Sequence, residues 1–139
     1  MRKAFRAAAS ARGLGENDLV WIEETSAPLQ ATPEFFGLPR HRPSDWSPLG
    51  IFANTDTRAV ALLSAIENTD LRLGLDIGVI GCYDLDAGRR SSRPPSTWRI
   101  DPPAVGRGAA AQLLACVEDG ESPPVWVKTP VEFVDRGTF

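Results

Sequence analysis

Apolar residues in this chain fall in short blocks separated by polar, proline-bearing stretches, and the spacing within each block predicts its element. Residues 2–12 (Arg-Lys-Ala-Phe-Arg-Ala-Ala-Ala-Ser-Ala-Arg) are helix formers, and Gly13 and Gly15 end the run. Phe5, Ala8, Ala9 and the arginine stems give that helix an apolar stripe. Within 18–24, Leu19-Val20-Trp21-Ile22 is a continuous apolar run of buried-strand type. Prolines 28, 33, 39, 43 and 48 exclude one shared helix, so a loop is expected there, with a turn around Glu34-Phe35-Phe36. Leu49-Gly50-Ile51-Phe52-Ala53 reads as a strand running into a helix over 57–68, with Asp56 as its N-cap and Val60, Leu63 and Ile66 turned inward. Residues 76–82 form a second buried strand, followed by a polar loop through Pro95. Asp101-Pro102 opens another helix, to about Glu118, with Val105, Ala109, Leu113 and Cys116 on one face. Val125-Trp126-Val127 and residues 131–134 make a last extended segment, which Pro130 assigns to a sheet edge or bend.

Strands and helices alternate without an internal repeat, which predicts an α/β fold of three layers, α/β/α, around a mostly parallel sheet. Such a unit normally opens on a strand. This chain opens on a helix, so a truncated lobe is expected. Its 139 residues are about one domain.

Composition narrows the function. The net charge is −3 and no basic run occurs, so the electrostatic footprint for binding a phosphate backbone is missing. No apolar run approaches the roughly 18 residues of a membrane helix. The basic Met1-Arg2-Lys3 start leads into an alanine-rich helix rather than a signal-type apolar core, so a cytoplasmic location is expected. Cys82 and Cys116 lack metal-ligand spacing and lie among apolar residues, as buried free thiols would. No cofactor or metal is expected.

In open α/β sheets ligands bind at the carboxyl ends of the strands. Three loops meet that condition: Glu23-Glu24-Thr25, Asn54-Thr55-Asp56 and Cys82-Tyr83-Asp84. The candidate ligand-binding residues are therefore Thr25, Asn54, Thr55, Asp56, Tyr83 and Asp84, a set suited to a polar, hydroxylated small molecule. Each also has a structural reading. Asp56 suits a helix cap, Asn54 and Thr55 suit a turn, Tyr83 a strand-end cover and Asp84 a solvated loop. Convergence at one sheet edge is what carries the functional reading. Catalysis has little to stand on, because His41 is the single histidine and no nucleophile motif or phosphate loop occurs. Gly106-Arg107-Gly108 falls inside a helix, and neighbours Glu23 and Glu24 on a strand would point to opposite faces.

Four ordered stretches carry a family resemblance. They are Ile51-Phe52-Ala53-Asn54-Thr55-Asp56 with 59–66, Leu71-Arg72-Leu73 with Asp76-Ile77-Gly78-Val79-Ile80-Gly81, Pro94-Pro95-Ser96-Thr97-Trp98-Arg99-Ile100-Asp101-Pro102 with 105–110, and Pro130-Val131-Glu132-Phe133-Val134 with Arg136 and Thr138. Together with Ala4-Phe5-Arg6-Ala7-Ala8 and Gly13-Leu14, they resemble the effector-binding domain of LacI/GalR-type transcription regulators.

The resemblance implies a Rossmann-like C-terminal lobe of the type I periplasmic-binding-protein fold, sensing a sugar-like effector. Residues 1–139 would be one partial effector-binding domain, with 100–120 resembling the segment that crosses to the N-terminal lobe. It also implies a homodimer, DNA contact only through a headpiece absent from this chain, and no membrane partner. The family's effector-contacting Asn falls on Thr55, with Asp56 retained. Its first Asp after the second strand falls on Tyr83, with Asp84 kept beside it. An effector-binding Arg falls on Met1, and an aromatic position falls on Thr25. Two rival readings are a solute-binding protein of the same fold and a small α/β enzyme using Glu23, Glu24 or Asp84.

Overall fold

A computed structural model of the chain describes residues 2–21, 32–119 and 128–139. Helix α1, Arg2–Ser10, ends where expected. Gly13 takes the left-handed conformation (φ 79°), its N–H reaches Ser10 O, and Leu14 N–H reaches Ala9 O, which closes the last turn.

The strand expected over 18–24 does not form across its described part. Glu16–Asp18 is a single 3-10 turn, and no strand continues through 19–21. Val20 is 83% exposed. Trp21 instead packs edge-on against Phe5 at 5.8 Å, beneath the guanidinium groups of Arg2 and Arg6 at 5.3 and 5.5 Å. An apolar run alone does not make a strand without a neighbouring edge to pair with. The remainder of that expected strand, Thr25 with it, lies outside the described residues. The turn at Glu34–Phe36 forms as a 3-10 turn closed by left-handed Gly37.

The sheet has four strands in the order β1-β2-β3-β4. Strands β1 (Leu49–Phe52), β2 (Ile77–Tyr83) and β3 (Ser96–Ile100) are parallel, and β4 (Val131–Val134) runs antiparallel along β3. β4 follows Pro130 and is the second part of the edge segment predicted; the first part, 125–127, lies outside the described residues. β3 is missing from the sequence reading, because Ser-Thr-Trp-Arg-Ile lacks an apolar run. Pairing on both sides makes it a strand.

Helix α2, Asp56–Ile66, covers one face of the sheet. Ala59, Leu62, Leu63 and Ile66 pack with Ala53, Leu71, Ile77 and Val79 into a dry core, and Leu38 joins it from the loop before β1. Each fully buried leucine or isoleucine contributes roughly 1.5–3 kcal/mol. Leu63 and Ile66 face inward as predicted, but Val60 is only half-buried and Ala59 and Leu62 take the inner positions. The helix starts at Asp56, whose own side chain is buried, and the face continuing from Asp56 is the one that meets the sheet. On the opposite face α1 approaches β1 through Phe5 and Phe52, with ring centres 6.2 Å apart. The mostly parallel sheet with helical layers is therefore an α/β fold.

Two further elements complete the described chain. The short helix α3, Asp86–Arg89, lies in the stretch read as a loop. Helix α4, Pro102–Asp119, forms where predicted, with the Asp101 carboxylate accepting Ala104 N–H at 3.0 Å. Its predicted apolar face is not buried. Val105 is 46% and Leu113 65% exposed, and Cys116, expected inside, is exposed as well. Capping and propensity suffice to form this helix, whereas burial needs an opposing layer that the described residues do not supply.

After β4 the chain closes as a strap, 135–139. The β2–β3 ladder begins only at Ile80 and Ser96, and Thr138 takes the place beside Val79 that β3 leaves empty. Val79 N–H donates to Thr138 O at 2.6 Å, and Thr138 Oγ donates to Val79 O at 2.7 Å. The same hydroxyl oxygen accepts Ser96 N–H at 2.8 Å.

Candidate functional site

The carboxyl ends of β2 and β3 and the start of β4 border a cavity of about 780 Å³ that is open to solvent on one side. Tyr83, Asp84 and Arg89 line it from β2 and α3, Arg99 and Asp101 from β3 and the mouth of α4, and Glu132 from β4.

Asp84 organises this wall. Its side chain is buried, and its carboxylate accepts Arg99 Nε–H at 2.8 Å and an Arg136 Nη–H at 2.7 Å, with an Arg89 guanidinium nitrogen 3.7 Å away. Burial alone would raise this carboxyl, but the hydrogen bonds and charges of Arg136 and Arg99 outweigh it and hold Asp84 below its ordinary value. Arg99 also donates to Glu132 at 2.9 Å. Asp86 is paired with Arg89, whose hydrogen bond lowers its proton affinity. The wall is thus a row of paired donors and acceptors.

Backbone geometry marks the same place. Tyr83 and Asp84 both have left-handed φ, 90° and 54°. Aspartate tolerates that region through its short polar side chain, whereas a tyrosine there is strained. The strand therefore ends abruptly, and the Tyr83 ring is left partly exposed at the cavity.

Of the six residues expected to bind ligand, Tyr83 and Asp84 lie on this wall. Asn54, Thr55 and Asp56 are absent from its lining. Thr55 is the N-cap of α2, its hydroxyl accepting Arg58 N–H at 3.4 Å, so the cap assigned to Asp56 belongs one residue earlier. Asn54 Oδ1 accepts an Arg58 guanidinium N–H at 2.7 Å. Asp56 is fully buried, and its Oδ2 accepts the N–H of Leu85 at 2.6 Å. It supports the cavity wall from beneath, since Leu85 belongs to the lining. The alternative reading of Asp84 as a solvated carboxylate fails, because three guanidinium groups enclose it. That enclosure also makes it a poor proton acceptor for the enzymatic alternative. Glu23, Glu24 and Thr25 lie outside the described residues.

Sequence reasoning missed Arg89, Arg99, Glu132 and Arg136. Arg99 sits directly opposite Tyr83 in the parallel register, a position legible only once β3 is known to be a strand. Arg136 lies 52 residues from Asp84, and no local pattern links them.

Comparison with known proteins agrees with this architecture. The family model of the periplasmic binding protein-like domain matches residues 1–139. The HTH-type transcriptional repressor PurR of Vibrio atlanticus is 29% identical over 91 residues, which cover 66% of this chain and 27% of that protein. PurR of Vibrio cholerae is 29% identical over 94 residues, covering 68% and 28%. This chain therefore spans little more than a quarter of the length of the curated relatives it matches. Among solved structures, the CelR regulator–cellobiose complex superposes over 97% of this chain and 40% of its own, with TM-score 0.69 and 17% identity. A LacI family regulator of Lactobacillus casei with bound sucrose superposes over 65% of this chain and 33% of its own, with TM-score 0.53 and 19% identity. At those identities the likeness is one of fold. The chain belongs to the family of periplasmic binding protein-like domains.

Proposed function

We propose that this chain is the effector-sensing part of a LacI-type transcription regulator and that the cavity at Tyr83–Asp84 holds a neutral, hydroxyl-rich small molecule of sugar type. The observation that carries this reading is the wall itself. Asp84, Arg99 and Glu132 form a chain of paired donors and acceptors beside a partly exposed aromatic ring. Hydroxyl groups both donate and accept, so they match such a row without leaving a buried charge uncompensated. Sucrose and cellobiose in the two structural neighbours are ligands of this chemistry. Binding, rather than turnover, is the activity, and a cytoplasmic location suits it. Among the described residues no helix is long and apolar enough to cross a membrane.

Regulation would follow if the ligand prefers one arrangement of this lobe relative to the rest of a longer regulator, whose separate headpiece reads DNA. The exposed apolar side of α4, in the segment read as crossing between lobes, suits contact with further protein, a second copy included. Sedimentation at rising concentration tests the homodimer, and a strictly monomeric profile rejects it.

The binding test is thermal shift and calorimetry with cellobiose, sucrose, other sugars, polyols and nucleosides. Tyr83→Ala is expected to weaken any stabilising ligand by about tenfold or more. An unchanged affinity would place the ligand elsewhere.

A further inference from the structure

Arg136 stands outside the cavity lining, yet it holds the residue on which that lining turns. Its side chain is 20% exposed. One guanidinium nitrogen donates to Asp84 Oδ1 at 2.7 Å and another to Pro95 O at 2.9 Å. Its own N–H donates to Ser96 Oγ at 2.8 Å. Two residues later Thr138 is bonded to Val79 and Ser96, and Phe139 lies 3.2 Å from where a side chain on Gly78 would begin. The strap is therefore anchored on both β2 and β3, and Arg136 is the side chain through which it reaches the cavity.

We propose that Arg136 is a positioning residue for the ligand wall, acting through Asp84 to hold the strained Tyr83–Asp84 turn in its left-handed conformation. Strained backbone persists only where its surroundings over-determine it. Asp84 is bound on one carboxylate oxygen by Arg136 from behind and on the other by Arg99 from the cavity side. Without the rear contact, Asp84 is free to follow Arg99, and the turn relaxes toward an ordinary strand end. Tyr83 then leaves the position that the cavity needs. The closing residues of the chain thereby set the geometry of a site to which they contribute no wall.

The inference rests on the cavity being a ligand site, but its test does not require a ligand. Tyr83 is the single tyrosine of the chain, so tyrosine labelling with 13C and 15N isolates the turn in an NMR spectrum. Arg136→Gln is expected to move the Tyr83 amide and ring signals, as is Asp84→Asn. In the Asp84→Asn background Arg136→Gln should add no further movement, because the two act as one unit. Arg136→Lys, which keeps the charge but loses the fork, should restore part of the native position. Unmoved Tyr83 signals in a folded Arg136→Gln protein would reduce Arg136 to a staple of the strap, and additive shifts in the double variant would sever it from Asp84. If Arg136→Gln does not fold, Arg136→Met decides, with displaced Tyr83 signals supporting the proposal and native ones overturning it. Cellobiose and sucrose titrations form a second arm. Where the wild type binds, Arg136→Gln should weaken binding about tenfold. If the wild type binds no sugar, the proposed ligand class fails while the tyrosine signals still decide the role of Arg136.

Discussion

The carboxylate of Asp56, fully buried at the first turn of α2, accepts the backbone N–H of Leu85 at 2.6 Å and lies against Gly81 and Gly88. A side chain begun on Gly81 would stand 2.4 Å from Asp56 Oδ1, and one on Gly88 would stand 2.7 Å from Asp56 Cβ. One residue thus ties the main core helix to the turn that borders the cavity, and two glycines make room for it.

Asp56→Ala should destabilise the domain by about 1–3 kcal/mol, through the lost hydrogen bond and the void left behind. Gly81→Ala should cost a similar amount, about 1–3 kcal/mol, by overpacking. In the double variant part of the Gly81→Ala cost should disappear, since the atom it strikes is gone. Urea denaturation of the four proteins measures the coupling, and strictly additive effects would refute the contact.

Acid should weaken the fold through Asp76. This buried carboxylate accepts Arg72 Nε–H at 2.7 Å, an Arg72 Nη–H at 3.0 Å and Arg72 N–H at 2.9 Å. The side-chain hydrogen bonds from Arg72, then the one from its backbone, hold the carboxyl far below its usual value. A depressed carboxyl contributes stability that is complete above its unfolded value, near pH 4, and is lost as pH falls toward the folded one. Asp84 is shifted in the same direction and adds to the effect. Denaturation midpoints should therefore decline below about pH 4 and stay flat near neutrality. Asp76→Asn should be less stable at neutral pH and show a shallower acid slope.

The two cysteines should differ sharply as reagents. Cys116 is exposed on α4, while Cys82 is buried in β2. Burial, and then the nearby charge of Asp56, push the Cys82 thiol above its ordinary value, which reduces the thiolate available to react. A thiol-specific dye should label one cysteine rapidly in the folded protein and the second only on unfolding. Loss of the rapid phase in Cys116→Ser would identify the site. Rapid labelling of both in wild type would contradict the burial of β2.

Much of the fold was legible because it arises from local chemistry. Apolar runs at 49–52 and 77–82 made strands, Asp101-Pro102 opened α4, and Gly13 ended α1 as a left-handed residue. The ordered motifs brought the family into view by the same route. Part of the candidate cavity was legible too: Tyr83 ends β2 and Asp84 follows it, at the carboxyl end of a parallel strand.

What the sequence determined by itself was therefore the alternation of elements, the family, and a short choice of strand-end loops, one of which borders the cavity. The tertiary structure alone decided which polar residues share that cavity and which side of each helix is covered. It made β3 a strand by pairing, turned Asp56 inward to hold Leu85, left Cys116 and the apolar side of α4 exposed, and brought Arg136 to Asp84 across 52 residues. The physical reason is range. Propensity and capping act within a few residues, whereas burial, strand register and ion pairing depend on which distant segments the packed chain brings together.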